Sequence, residues 1–495
     1  VLTEERLSKS VKKILQHKYR IGLNKYQPIA EQNLIADINP PQNKILQQQL
    51  FENAVTVVQN QNEILPIQKL ENERIAYVKL GDDQNAAFLE SLKNYADITE
   101  VAVTSLDSIE SQFAEFSKVI VGFHKSDRAW KSQSFTDTEI QILDRLTQKK
   151  SVILDVFVRP YSLMPISFLD RFSAIVVSYQ NADVAQRVSA DVIFGTTAAA
   201  GRLPVSINAK YQAGMGIDTK TINRLGFSLP ELQKMSSEKL KALDNIIETA
   251  IAKKTTPGAQ ILVARNGKVV YQKSFGKFTY DATAPKVTNA AVYDLASLTK
   301  ILAPLPLLMQ NYEQHKFTLD TNLGTLLPYL QTSDKKDITV KQWLSHQAGF
   351  EAWTPFYKQT LLANGTVNPT YYSKIANQTF NTRVSDSLYI IGTYRDSILQ
   401  KIKNSKLVPN QGYKYSDYTF ILAQKYLEDQ LHASLDISAY THFYKKIGAG
   451  TLTYNPTQRF DLHDLVPTEI DTYFRRDTIQ GFVHDMAAAM QGGVG

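Results

Sequence analysis

The chain has 495 residues, 43% of them hydrophobic and 21% charged, the balance of an ordinary globular protein with length for roughly two to four cored domains. Its formal charge of +7 is scattered, the densest basic run (9–20) reading as one helix face, and no nucleic-acid motif accompanies it, so nucleic acid is not expected as a partner. The absence of Cys excludes disulfides, thiolate metal sites and a cysteine nucleophile, and no apolar run reaches the roughly 20 residues that span a membrane.

Residues 4–23 read as a helix. Leu7, Val11, Ile14, Leu15 and Tyr19 recur at three- and four-residue steps, and Gly22 stands where a C-terminal cap belongs. Residues 24–45, with Pro28, Pro40 and Pro41, read as a linker. From 46 to 210, short apolar runs (Ile75–Leu80, Val101–Thr104, Val119–Phe123, Val152–Phe157, Ala174–Ser178) alternate with helical stretches at 84–95, 136–149 and 181–194. That alternation predicts a parallel sheet with helices on both faces. No G-x-G-x-x-G follows the first strand, so a dinucleotide site is not expected. Residues 211–235 read as a second linker, with Gly214, Gly216 and Pro230. A last region, 236–495, opens with a helix (236–253), then two alternating runs, Ala259–Arg265 and Lys268–Gly276, around Asn266-Gly267. Asn-Gly between such runs is a hairpin signal. With the helical stretches that follow, it predicts helices packed on an antiparallel sheet.

Ser297-Leu298-Thr299-Lys300 is an S-x-x-K motif. Residues three apart on a helix share a face, their Cβ atoms roughly 5–6 Å apart, so the lysine can reach the serine hydroxyl and take its proton if burial or nearby cations keep it partly neutral. The bare motif recurs at Ser10/Lys13, Ser236/Lys239, Ser274/Lys277 and Ser333/Lys336, which read as solvated lysines. Ser297 differs because it follows the hairpin and leads an apolar run, Ile301 to Met309, and so is expected at the head of a buried helix. Pro304 and Pro306 predict that this helix is short or bent. Tyr415-Ser416-Asp417 precedes another apolar stretch and supplies a group to relay the proton; Tyr394-Arg395-Asp396 and Tyr95-Ala96-Asp97 are rivals of the same pattern. The residues leave open whether Lys300 or Tyr415 is the base.

The ordered set of hairpin, Y-D-L-A-S-L-T-K, I-T-V-K-Q-W-L-S-H-Q-A-G-F (338–350) and Tyr-Ser-Asp resembles the class C β-lactamase, D-aminopeptidase and esterase superfamily over about 236–495. The resemblance implies a β-lactamase/transpeptidase-like domain, with Ser297, Lys300 and Tyr415 catalytic, Asp417 facing substrate and His346 part of the scaffold. Val466-Pro467-Thr468-Glu469 and Gly481-Phe482-Val483-His484-Asp485, running on to Gly495, resemble serine-type N-acetylmuramoyl-L-alanine amidases. Two roles stay open for His484 and Asp485: shaping a substrate site, or capping and bracing a loop. The segment 354–410 is expected to be a substrate-facing insertion. The resemblance also implies a third motif, Lys/His-x-Gly, just past Gly495.

The opening helix with K-Y-R-I-G-L, the segment 52–67, and 190–195 through 201–205 resemble glycoside hydrolase family 3. This implies the last helix of a barrel plus linker (1–45), then that family's C-terminal α/β sandwich domain (46–210), with the barrel and its catalytic aspartate ahead of Val1. His124 and Asp127 are read as surface loop residues, and no glycosidase site is assigned. Together the resemblances imply a bacterial protein of peptidoglycan turnover, in the periplasm or cell envelope or else the cytoplasm. It would act on a muropeptide or another small amide or ester, with no cofactor and no metal. A β-lactamase, a D-aminopeptidase or esterase, and a non-catalytic wall-binding module are the alternatives, and oligomeric state is left open.

Overall fold

Residues 3–28, 31–70, 73–128, 130–408 and 412–492 are described by the computed structural model; Gly493 to Gly495 of the amidase-like stretch lie outside them. The first helix runs Glu4–Arg20, capped by the Thr3 hydroxyl, which accepts from the Arg6 amide at 3.3 Å, and the chain turns left-handed at Gly22 (φ 79°). Its stripe of Leu7, Val11, Ile14, Leu15 and Tyr19 is exposed. The expected linker at 24–45 holds a short helix, Leu34–Ile38, and the start of a longer one, Pro41–Ala54.

A six-stranded sheet follows, built from β1 (Thr56–Asn60), β2 (Ile75–Leu80), β3 (Ile98–Glu100), β4 (Lys118–Phe123), β5 (Ser151–Val156) and β6 (Ala174–Val177) in the order β1-β6-β5-β4-β2-β3. Strands β2 to β6 are parallel, as the strand–helix alternation predicts, while β1 joins antiparallel at the edge of β6. Successive residues serve opposite faces: Ala76, Val78 and Leu80 enter one apolar core, Ile75 and Tyr77 the other. Burial on both faces is why these strands read as continuous apolar runs. The strand expected at Val101–Thr104 lies earlier, at Ile98–Glu100, because pairing with β2 ends at Glu100; the Val101 amide makes one last bond to Tyr77 O at 2.9 Å.

The second expected linker is partly ordered into the next sheet. Its β7 (Gly226–Phe227) pairs parallel with β9 (Lys268–Gly276), which pairs antiparallel with β8 (Gly258–Arg265). The hairpin closes on Arg265↔Lys268, leaving Asn266 (φ 52°) and Gly267 (φ 71°) as a two-residue turn with both backbones left-handed. Arg224, just ahead of β7, donates to Ile67 O and Phe194 O at 2.8 Å each, fastening this segment to the first sheet.

Beyond the hairpin, helices enclose a core centred on Trp343, whose indole N–H donates to Thr419 O at 2.9 Å across 76 residues of chain. The helix Tyr418–Leu431 buries almost every residue of its first three turns. The segment 354–410 forms a three-stranded antiparallel sheet, in the order β10 (Tyr372–Ser373), β12 (Leu388–Ile391), β11 (Phe380–Ser385), followed by the helix Tyr394–Asn404. Tyr372, Val384, Ile390 and Ile398 sit in the same core as Trp343, so part of this segment belongs to the scaffold. The architecture is thus an α/β layer with a mainly parallel sheet, followed by an α+β part.

Candidate active site

The nucleophile segment begins at Ala296, a non-glycine residue held left-handed (φ 45°), after which Ser297 leads the short helix Leu298–Leu302. That helix ends at Ala303 (φ −118°, ψ −72°), and Pro304 opens the next, Pro304–Glu313. A proline without N–H tolerates only the first turn of a helix, so the bend expected from the sequence is a complete break. The expectation of a buried helix needs correction. Lys300, Ala303, Leu307 and Leu308 are buried, but Leu298, Ile301 and Met309 face outward and are exposed.

Two functional groups converge on the serine, and a third holds one of them. Lys300 Nζ lies 3.0 Å from Ser297 Oγ, and Tyr415 OH is also 3.0 Å from Ser297 Oγ. Lys300 is 3% exposed, and its ammonium pairs with Asp417 Oδ1 at 3.1 Å and lies 5.6 Å from the centre of the Tyr415 ring. A hydroxyl flanked by a lysine and a tyrosine at hydrogen-bond distance has a proton acceptor within reach and a route for passing that proton onward. Tyr415 is 40% exposed, so a substrate can meet it. A cavity of about 550 Å³ borders the serine, lined among others by Ser297, Lys300, Leu344, His346, Tyr415 and Phe420.

The 338–350 stretch positions the tyrosine. It forms the helix Val340–Leu344, whose capping box joins Thr339 and Gln342, then a turn at His346 (φ 55°). His346 O accepts the Lys414 amide at 2.8 Å, its Nδ1 accepts the Ser416 amide at 3.1 Å, and its ring lies 4.8 Å from the Tyr415 ring. Burial and the positive charge of Lys300 hold the imidazole below its ordinary pKa, which suits a neutral ring that accepts at Nδ1. Gly349 completes the turn at φ 72°. A side chain there would begin 2.5 Å from Val408 O, so only glycine lets the chain at Val408 pass this closely.

His484 and Asp485 sit beside this cluster without touching Ser297. Asp485 caps the helix Met486–Gln491, accepting the Ala488 amide at 2.6 Å, and burial raises its carboxyl pKa. The His484 amide donates to Asp294 Oδ2 at 3.0 Å, and its Nδ1 lies 3.4 Å from the same oxygen, an ion-pair distance beyond good hydrogen-bond geometry. Both residues, with Asp417, line a cavity of about 190 Å³ walled by Trp353, Tyr357 and Tyr473. Sequence reasoning passed over Asp294, although it stands inside the Y-D-L-A-S-L-T-K run.

The rival motifs go elsewhere. Tyr394 is buried and donates to Phe356 O at 2.8 Å; Tyr95 donates to Asp191 in the first part; Ser236 caps a helix through the Lys239 amide; and Ser333 bonds Leu330 O. His124 is not the surface residue expected. It is fully buried, bonded to Tyr77 OH at 2.9 Å and Asn181 Oδ1 at 2.8 Å, and stacked on Phe157, because β4 ends one residue earlier and delivers it inward. Asp127 is exposed, as expected. Among the described residues, one group, Asp461, His463 and Asp464, brings three potential metal ligands within 4.8 Å at the surface, apart from the serine cluster. No helix among them is long and apolar enough to cross a membrane.

Comparison with known proteins places a β-lactamase-family domain at residues 243–465. A putative D-alanyl-D-alanine carboxypeptidase of Escherichia coli is 25% identical over 286 residues, covering 53% of this chain and 60% of that protein. Protein flp of Staphylococcus aureus is 28% identical over 119 residues, covering 23% of this chain and 24% of that one. The chain therefore spans less than two thirds of either relative. Solved structures similar to it include a glycoside hydrolase family 3 β-N-acetylglucosaminidase from Paenibacillus (18% identity, TM-score 0.33, 42% of this chain and 40% of that one) and a putative β-lactamase from Bacteroides dorei (20%, 0.29, 41% and 50%).

Proposed function

We propose that the β-lactamase-family domain is a serine hydrolase that cleaves amide bonds of peptidoglycan fragments, at the link between the muramic acid lactyl group and L-alanine. The observation that carries the reading is the placing of Ser297 Oγ 3.0 Å from both Lys300 Nζ and Tyr415 OH. Ser297 Oγ attacks the amide carbonyl, and its proton passes into the Lys300–Tyr415 pair. The pair then protonates the departing amine nitrogen as the C–N bond breaks, leaving an ester on Ser297. Water attacks that ester, gives up a proton to the same pair, and releases the carboxylic acid; the proton returns to Ser297. Lys300 and Tyr415 share the proton in this scheme, and Asp417 holds the ammonium in place.

The choice of a muramoyl amide rests on the resemblance at Val466–Glu469 and Gly481–Asp485. The family 3 segments within 1–210 support the same reading, since a glucosaminidase module would trim the same wall fragment in the bacterial envelope. A second reading, peptide cleavage next to D-alanine, is favoured by the name of the Escherichia coli relative. Turnover of MurNAc-dipeptide, a D-alanyl-D-alanine peptide, nitrocefin and p-nitrophenyl esters, measured side by side on the full chain and on Ser297→Ala, separates the two. Cleavage of MurNAc-dipeptide that is lost with Ser297 supports the proposal. Strong turnover of D-alanyl peptide or nitrocefin with no muropeptide cleavage overturns it.

A further inference from the structure

Ser297 depends on a strained residue. Ala296 occupies the left-handed region at φ 45°, which crowds the Cβ of an L-residue, so something must hold it there. Asp294 is placed to do so. Its Oδ1 accepts the Ala296 amide at 2.8 Å, and its Oδ2 accepts the His484 amide at 3.0 Å, across 190 residues of chain. The His484 loop is itself fixed from behind. Arg475, its side chain fully buried, donates to Val483 O at 2.7 Å and His484 O at 2.6 Å, and its Nε bonds Asp471 Oδ2 at 3.1 Å. Asp471 in turn accepts the amides of Tyr473, Phe474 and Arg475. Ahead, Asp485 caps the helix that carries Ala488, Ala489 and Met490 into the core.

We infer that Asp294 and His484 are positioning residues for the reaction at Ser297. Asp294 pins Ala296 in its left-handed turn and so sets Ser297 Oγ between Lys300 and Tyr415, while His484 fixes Asp294 from the opposite side. Neither residue touches the serine; both act through the backbone ahead of it. The inference rests on the serine-hydrolase reading and adds to it a link between two segments 190 residues apart in the chain. A general bracing role for the loop would lower folded stability. It would leave no reason for the effect to depend on the conformation of Ala296.

That dependence supplies the test. Labelling of the full chain by a fluorescent fluorophosphonate is followed against time and concentration, alongside circular dichroism to count folded protein. Asp294→Ala is expected to lower the limiting labelling rate by about 10- to 100-fold, the range expected for small misplacement of a reacting group, with little change in the concentration for half-maximal rate. Ala296→Gly added to Asp294→Ala is expected to recover much of the loss, because glycine adopts the left-handed turn without a clamp. Asp294→Asn, which keeps the side-chain volume and one acceptor oxygen for the two amides, is expected to lose several-fold and serves should Asp294→Ala not fold. Wild-type labelling rates in Asp294→Ala and Asp294→Asn overturn the inference, as does a loss that follows the folded fraction and ignores Ala296→Gly. Absence of labelling in folded wild type, or labelling that survives Ser297→Ala, overturns the serine-hydrolase reading and this inference with it.

Discussion

Asp417→Ala removes a carboxylate from 3.1 Å beside a lysine that is almost fully enclosed. At that distance and an effective dielectric of about 20, Coulomb attraction is worth roughly 5 kcal/mol. Breaking a buried pair from one side generally costs about 3–5 kcal/mol. The Asp417 side chain is 30% exposed, so water can enter where it stood and screen the ammonium, which also keeps its contact with Ser297 Oγ. The expected loss is therefore about 2–3 kcal/mol, or roughly 5–10 °C for a domain of this size. Lys300→Met keeps the aliphatic stem and removes the charge. The double variant Lys300→Met/Asp417→Ala is expected to lie within about 1 kcal/mol of wild type, giving a coupling of about 2 kcal/mol in the cycle. Urea unfolding followed by tryptophan fluorescence reads all four proteins, Trp343 and Trp353 both lying in this part of the chain. Stability of Asp417→Ala equal to wild type, or simple additivity of the two changes, would refute the argument that Asp417 is there to hold a buried cation.

Tyr415→Phe removes the hydroxyl but not the ring and is expected to cut hydrolysis by roughly 10²- to 10⁴-fold with an unchanged unfolding midpoint, measured by ester turnover beside urea denaturation. Trp343→Ala is expected to destabilise the second part by about 3–5 kcal/mol, read in the same unfolding experiment, because the indole is fully buried and bonded to Thr419 O. Asp294 raises the pKa of His484 above 6.5, with burial opposing and Asp485 and Glu469 adding, whereas bonds from His484 and backbone amides outweigh burial and lower Asp294 below 3.8. The pair's contribution is thus fully present between pH 3.8 and 6.5. It fades as pH rises through the raised histidine value or falls through the depressed aspartate value, and in a pH series of unfolding free energies His484→Asn should remove the first slope and only reduce the second, because the Ala296 and His484 amides still bond Asp294. In the first part, burial pushes Asp155 up to about 7 despite bonds from Ser178 and Ser189. Its stabilising contribution is whole below pH 3.8 and lost as pH rises through about 7, a slope that Asp155→Asn should remove.

What the chain revealed before its structure was known depended on how local the cause was. The sheet strands Ile75–Leu80, 118–123, 151–156 and 174–177 announced themselves as apolar runs because both faces are buried. β1 did not, since its two apolar residues, Val57 and Val58, are followed at once by Gln59 and Asn60, and the Gln59 amide finds its partner, Leu169 O, only across the fold. The Asn266-Gly267 turn was visible because two consecutive left-handed residues need those side chains. Around Ser297, the spacing to Lys300 is a one-turn relation and could be read directly. The approach of Tyr415, 118 residues away, was suggested by motif order, and the structure brings its hydroxyl to the serine. Asp294 was invisible as a participant because its partner, the His484 amide, lies 190 residues downstream and is main chain. His124 was misplaced for a similar reason. Its burial depends on Tyr77, Asn181 and Phe157 from three separate segments, and no local pattern marks it.

The central claim, that Ser297 is acylated by substrate with Lys300 and Tyr415 moving its proton, is tested most directly by acid-quenching the full chain during turnover of an activated ester and locating the adduct by peptide mass spectrometry. The account predicts an acyl group on the peptide containing Ser297, absent in Ser297→Ala and strongly reduced in Lys300→Met and Tyr415→Phe. An adduct on another residue, or one that persists in Ser297→Ala, would contradict it.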